Sequence, residues 1–287
     1  MSGPTSVSTG RASPVTLSQP AAVQSGNAGH PRRRRVPLGL FGLVGLLLVL
    51  ELVPRTGLVS PAYLSPTSEI VRALAGEVGR PSFWIAVWDT VRSWAIGLVI
   101  AVVAGAAAGL TLGSIGFLRR LTASLVEFLR PIPSVSLIPL AVLLYGSDIR
   151  SKLMLIVYAA FWQVLIQVMY GAHDVDPVAA DTARSFRLGR LSLLRYVTWP
   201  TVLPYFMTGV RLAASVALIL AVTGELVIGA PGLGKEIAIA QSSAAIPLVY
   251  AYVVTTGLLG VLVNLGARAV ERRILSWHPS VRGEVAA

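Results

Sequence analysis

The segment Gly229-Ala230-Pro231-Gly232-Leu233-Gly234-Lys235-Glu236 comes within one position of a phosphate-binding loop, in which four residues separate a glycine from a Gly-Lys pair and a hydroxyl follows to hold magnesium. Glu236 stands where the hydroxyl is needed, and no strand pattern precedes the segment. Nucleotide chemistry is therefore not expected here, and the glycines are expected to form a turn. Metal chemistry has no better basis. Cysteine is absent, and His30, His173 and His278 lie far apart with no partner one helical turn away. No catalytic residue, metal or cofactor is expected. What remains are isolated ionisable and polar groups inside apolar sequence. Arg211 and Glu225 interrupt the otherwise uncharged run Leu203 to Ile228, which is long enough to span a bilayer. A charge there costs on the order of 2.5–3.5 kcal/mol on insertion scales, so each needs either a partner on a neighbouring helix or a functional role. Their spacing puts them on one side of a helix but roughly 21 Å apart along its axis, so they cannot pair with each other. Glu225 is a candidate to face a pathway or its outer gate. Ser134 and Ser136 beside prolines, and Gln163 and Gln167 at i, i+4, are further candidates to line a polar route, although helix packing accounts for the glutamines equally well.

The elements that position these groups follow from composition. Of 287 residues 54% are hydrophobic and only 13% charged, against roughly a quarter charged in soluble domains. An all-α membrane protein with six transmembrane helices is expected. Residues 1–35 form a polar, disordered tail ending in the run Arg32 to Arg35, and residues 36–53 form an uncleaved first span. Residues 54–84 form an external connector with one short helix around Ser68 to Ala75. Residues 85–270 carry five further spans. Ser93 to Phe117 is uncharged, and Gly97, Ala101, Gly105, Gly109 and Gly113 recur at every fourth position, a stripe that lets another helix pack closely. Arg119 and Arg120 mark an internal loop. Leu121 to Tyr145 is a span kinked by Pro131, Pro133 and Pro139. Gly146 to Lys152 is a tight external turn, Leu153 to Ala172 a fourth span, and Pro247 to Ala267 the last, before a tail over residues 271–287. With the N-terminus inside, internal segments hold 15 Lys and Arg and external ones 6, which places both termini in the cytoplasm. Because the net charge of +11 is spread over tails and connectors, it points away from nucleic acid.

Residues 172–200 are too long and too polar for a connector between two spans. Asp176 and Pro177 form a helix start, with a capping carboxylate followed by proline at the first helical position. A helix from Pro177 to about Phe186, an end at Gly189, and a second helix from Arg190 to Thr198 stopped by Pro200 would form a plug for a socket on another protein. Asp181, Thr182 and Ala183, followed by Val197, Trp199 and Pro200, resemble the EAA loop of ABC importer permeases, which runs Glu-Ala-Ala, three residues, Gly, nine residues, Ile, any residue, Leu-Pro. Arg187 stands in the position of the motif's glycine, and Gly189 is expected to take over the turn. The resemblance covers roughly Pro61 to Pro279. It is closest to the nitrate, sulfonate and taurine branch, through Arg130-Pro131-Ile132-Pro133, Gly232-Leu233-Gly234 and Glu271-Arg272-Arg273.

That resemblance implies a type I ABC importer permease core in the cytoplasmic membrane of a prokaryote. It implies a second permease subunit, as in a homodimer, two cytoplasmic ATP-binding subunits, and an extracytoplasmic solute-binding protein. Asp181, Thr182, Ala183, Arg184, Arg187, Gly189 and Pro200 would then couple to the ATPase subunits. The solute would be a small anion of the sulfonate, taurine or nitrate type, or within the same branch a non-anionic solute such as a vitamin precursor. An ion-coupled secondary transporter is the rival from another class. It would need acidic residues deep in several spans and paired repeats, whereas only Glu127 and Glu225 are near candidates.

Overall fold

The computed structural model describes residues 38–60 and 63–276, and among these all regular structure is helical. The tail assigned to residues 1–35 and the end of the chain beyond Ser276 lie outside the described residues. The chain divides into two units, Met1–Gly42 and Leu43–Ala287, and all packing described below belongs to the second. The helices are α1 (Leu38–Arg55), α2 (Thr67–Val78), α3 (Pro81–Ser114), α4 (Gly116–Leu129), α5 (Ile138–Tyr145) and α6 (Ile149–His173). They continue with α7 (Pro177–Ser185), α8 (Arg190–Leu193), α9 (Trp199–Ile228), α10 (Leu233–Ser242) and α11 (Ile246–Ile274). A 3₁₀ turn, Ser134–Leu137, precedes α5, and a π-helical turn, Leu194–Thr198, joins α8 to α9.

The core is a three-helix layer of α3, α6 and α9. Its closeness depends on residues with little or no side chain. Gly97, Ala101, Gly105, Gly109 and Gly113 are all buried. A Cβ at Gly105 would stand 2.9 Å from Val164 Cβ and 3.0 Å from the Phe161 carbonyl oxygen, and one at Gly109 would stand 2.7 Å from Val168 Cβ. The four-residue stripe thus faces α6 along its length. Across the other side of α6, Gly171 and Gly209 let Tyr205 and Gln167 come into contact with the opposing helix.

Helix α3 starts twelve residues before the predicted span, and its 34 residues reach roughly 50 Å, well beyond a hydrocarbon core of about 30 Å. Its extra N-terminal turns carry exposed Trp84 and Trp88, a composition suited to the membrane interface. Arg119 and Arg120 lie on α4, not in a loop, because α3 passes into α4 through Ile115 alone. The prolines at 131 and 133 do more than kink the next segment: α4 and the 3₁₀–α5 stretch meet at 83°. Pro133 has no N–H for the Leu129 carbonyl, which accepts from the Ile132 N–H at 3.3 Å and from the Tyr158 hydroxyl at 2.8 Å.

Among the described residues four helices are long and apolar enough to cross a bilayer, namely α3, α6, the continuous stretch Leu191–Ile228, and α11; the bent pair makes five if counted as one span. Helix α1 lies where the sequence predicts a first span.

Candidate functional site

Two places gather polar chemistry, one at each end of the α6–α9 pair. The first is the segment between these helices. Asp176 caps α7 as expected, its Oδ1 accepting from the Val178 N–H at 2.8 Å, with Pro177 at the first helical position. Ala183 is buried, while Asp181, Thr182, Arg184 and Arg187 are exposed. Arg184 donates to Asp181 Oδ1 at 2.8 Å, a surface pair one turn apart. The turn out of α7 corrects the expectation for Gly189. Arg187 itself adopts the left-handed conformation (φ 55°), whereas Gly189 has no positive φ. The Leu188 N–H donates to the Ala183 carbonyl at 3.1 Å and the Arg187 N–H to the Arg184 carbonyl at 2.8 Å, the bond pair of a left-handed helix end. The turn therefore stays at the position of the motif's glycine.

Pro200 is a second correction: it does not stop the chain but enters the first turn of α9. The π turn explains this. The Trp199 N–H donates five residues back to Leu194, so the ladder is already offset where Pro200 offers no donor. The sequence also hides the apolar surface of this segment. Phe186 is 80% exposed and Leu191 79%, with Val178 and Tyr196 also open. Phe186 ends the first helix expected from the sequence and Leu191 falls near the start of the second, so each is a single apolar residue in a polar segment and neither stands out in the sequence.

The second place is built around Glu225, whose carboxylate is enclosed within the protomer. Lys152 Nζ donates to Glu225 Oε1 at 2.8 Å, to the Pro231 carbonyl at 2.6 Å and to the Asp89 carbonyl at 3.5 Å, using all three of its N–H groups. Glu225 Oε2 accepts from the Thr90 hydroxyl at 2.8 Å and from the Gly234 N–H at 3.0 Å, and the Leu233 N–H donates to Thr90 Oγ1 at 2.9 Å. Four helices, α3, α6, α9 and α10, meet at this one charge pair. Lys152 does not sit in an external turn as the sequence suggested; it lies on α6 and is 1% exposed.

The near-match to a phosphate loop has its explanation here. Gly232 has φ 148°, and a side chain on it would collide with the Glu225 carboxylate; a Cβ on Gly234 would stand 2.7 Å from Glu225 Cβ. The glycines fold the connector over a protein carboxylate, and at the start of α10 the Gly234 N–H binds that carboxylate directly while the Leu233 N–H binds Thr90, which donates to it, so a carboxylate stands in place of a phosphate. Glu225 thus faces Lys152 and α10 rather than an open route. Arg211, its companion on α9, is paired with Glu271 of α11 at 3.2 Å.

The remaining polar candidates are not gathered into one cavity. Ser134 is half-buried and Ser136 exposed in the 3₁₀ turn, while Gln163 and Gln167 are half-buried on α6, with Gln167 against Gly209 of α9. Ser215, Thr223, Thr256 and Asn264 do share a cleft of about 640 Å³ between α9 and α11. Singly placed hydroxyls and one amide on two helices gave no local pattern by which to find them.

Residues 81–276 match the family of binding-protein-dependent transport system inner membrane components. The chain belongs to that family. The taurine transport system permease protein of Escherichia coli is 29% identical over 257 residues, 88% of this chain and 94% of that protein. A putative aliphatic sulfonates transport permease of Bacillus subtilis is 31% identical over 62% of this chain and 66% of its own length. The riboflavin transport system permease of Chloroflexus aurantiacus is 30% identical over 58% of this chain and 62% of its own length. In fold, the chain is similar to the inward-facing MetNI methionine ABC transporter, with a TM-score of 0.58 at 17% identity, covering 68% of this chain and 99% of that one. This family member is an ABC permease of the taurine and sulfonate branch with a type I permease fold, and its relatives are transport proteins rather than enzymes.

Proposed function

We propose that this permease is the pathway-forming subunit of an ATP-driven importer for a small sulfonate-type anion, with six spans and both termini in the cytoplasm of a prokaryotic cell. Two ATP-binding subunits dock on residues 172–200 and perform the hydrolysis, a second permease subunit completes the pathway, and a solute-binding protein delivers the solute at the outer face. The observation that carries this is the surface of the α7–α8 segment. Phe186 and Leu191 are each about four-fifths exposed on a segment too polar to lie in lipid, and the same short segment exposes Asp181, Arg184 and Arg187. Large exposed apolar side chains on a charged segment are what a protein–protein contact covers.

Asp181, Thr182, Ala183, Arg184, Arg187, Gly189 and Pro200 are assigned to this coupling contact, with Ala183 and Pro200 shaping it and the exposed charges orienting it. Ser134, Ser136, Gln163 and Gln167 are proposed to line the route once the second subunit is in place. Gentle detergent purification tests the coupling contact. An ATPase subunit accompanies the unaltered chain and is lost from Phe186→Asp plus Leu191→Asp and from Asp181→Lys plus Arg184→Glu. Absence of any ATPase from the unaltered chain would return ion-coupled transport to consideration. The riboflavin relative supports a second reading, in which the solute is a neutral vitamin-like molecule. Competition of labelled taurine uptake by riboflavin, with none by alkanesulfonates, would favour it.

A further inference from the structure

A separate group of charges lies on α4, outside both places described above. Arg119 and Glu127 of this helix, with Arg130 at its C-terminal cap, fall on one side and line a cavity of about 570 Å³, whose opposite wall is Ile166, Met169 and Tyr170 of α6. No residue of α4 is buried, so the helix stands off α6 instead of packing against it. The cavity is within the range of small-molecule sites. Among the described residues, none of the three charges has an ion-pair partner within 4 Å. That is unexpected for Glu127 and Arg130, which are one turn apart and would ordinarily close on each other. Unpaired charges on a helix of a membrane protein mark a place where polar ligand or water is held.

We infer that this cavity receives the solute during passage, and that Glu127 and Arg130 select a zwitterion, a small molecule carrying both an ammonium and an anionic group. The inference rests on the importer reading and deepens it. Glu127 takes the ammonium and Arg130 the sulfonate, with the Tyr170 hydroxyl and Arg119, roughly 12 Å further along α4, on the way to the end of the helix. A guanidinium suits a sulfonate because it presents several donors in one plane. An ethanolamine phospholipid headgroup carries a related charge pair, so the two sources have to be separated by experiment.

The full complex, with its ATPase subunits and binding protein, is reconstituted in phosphatidylcholine vesicles free of ethanolamine lipid, and uptake of labelled taurine is measured per ATP hydrolysed. Glu127→Gln and Arg130→Gln each lower this ratio at least about tenfold, a loss of about 1.4 kcal/mol of interaction. Glu127→Asp, which keeps the carboxylate, retains most of it and guards against a folding defect. Unchanged ratios in both glutamine variants would overturn the inference while leaving the importer reading intact. A loss seen only in vesicles containing ethanolamine lipid would overturn it in favour of a headgroup site. An unaltered complex that carries no taurine would end the taurine-type reading and this inference together.

Discussion

Arg187 carries a backbone cost that its neighbours could have avoided. A non-glycine residue in the left-handed region costs about 1–2 kcal/mol, and here Arg187 occupies it with φ 55° at the end of α7. Two hydrogen bonds to α7 carbonyls hold the turn. Arg187→Gly is expected to slow hydrogen exchange across Pro177–Ser185 by about 1 kcal/mol of local opening free energy, and Arg187→Val to accelerate it by a similar amount or more, since a β-branched residue fits this conformation poorly. The same pair of variants separates the turn from the charge. If ATPase retention falls in Arg187→Gly although the segment is better ordered, the guanidinium itself touches the partner. The motif's spacing and the Asp176 cap were legible in the sequence because both are local. The identity of the turning residue was not, because a glycine two positions away offered an easier conformation and only the Ala183–Leu188 hydrogen bond shows which one the chain uses.

Among the elements, α6 is the one on which the others depend, since α3 and α9 both pack along it. Its contact with α3 has no slack: a Cβ at Gly105 already stands 2.9 Å from Val164 Cβ and 3.0 Å from a backbone oxygen. Gly105→Leu is expected to cost about 3 kcal/mol or more through overpacking and to lower the yield of folded, monodisperse protein in detergent, whereas Gly45→Leu, with open space around it, should not. The Lys152–Glu225 pair gives a sharper test. Lys152→Met leaves a buried carboxylate uncompensated, at a cost of about 3–5 kcal/mol. Adding Glu225→Gln removes the charge while keeping an acceptor for Thr90 and Gly234, so the double variant should recover much of the lost thermal stability. Equal stability of Lys152→Met and the double variant would mean the two residues are not coupled. The glycine stripe was readable from its four-residue period. The partner of Glu225 was not, because Lys152 lies 73 positions earlier beside a Gly-Ser-Asp turn and resembles an ordinary loop charge until the fold brings the two together.

At the scale of the whole molecule, the two polar places lie at opposite ends of the α6–α9 pair: the α7–α8 segment joins the end of α6 to the start of α9, and the Lys152–Glu225 cluster joins the start of α6 to the end of α9. Each of these helices is long enough to cross a bilayer, so the two places should face different compartments. The excess of arginine on the α7–α8 side predicts which one is cytoplasmic. The chain contains no cysteine, so single thiols can be introduced without removing any. Ser185 is exposed at the end of α7, and Ser242 is exposed at the end of α10, the helix whose first residues close over Glu225. In spheroplasts expressing Ser242→Cys, a membrane-impermeant maleimide should label the thiol at once. In those expressing Ser185→Cys it should label only after permeabilisation, and less when the ATPase subunits are co-expressed and cover the segment. Labelling of both positions in intact spheroplasts would remove α7–α8 from the cytoplasm and with it the coupling role. The reverse pattern would invert the molecule and put the Gly-rich connector, not the α7–α8 segment, within reach of ATP-driven partners.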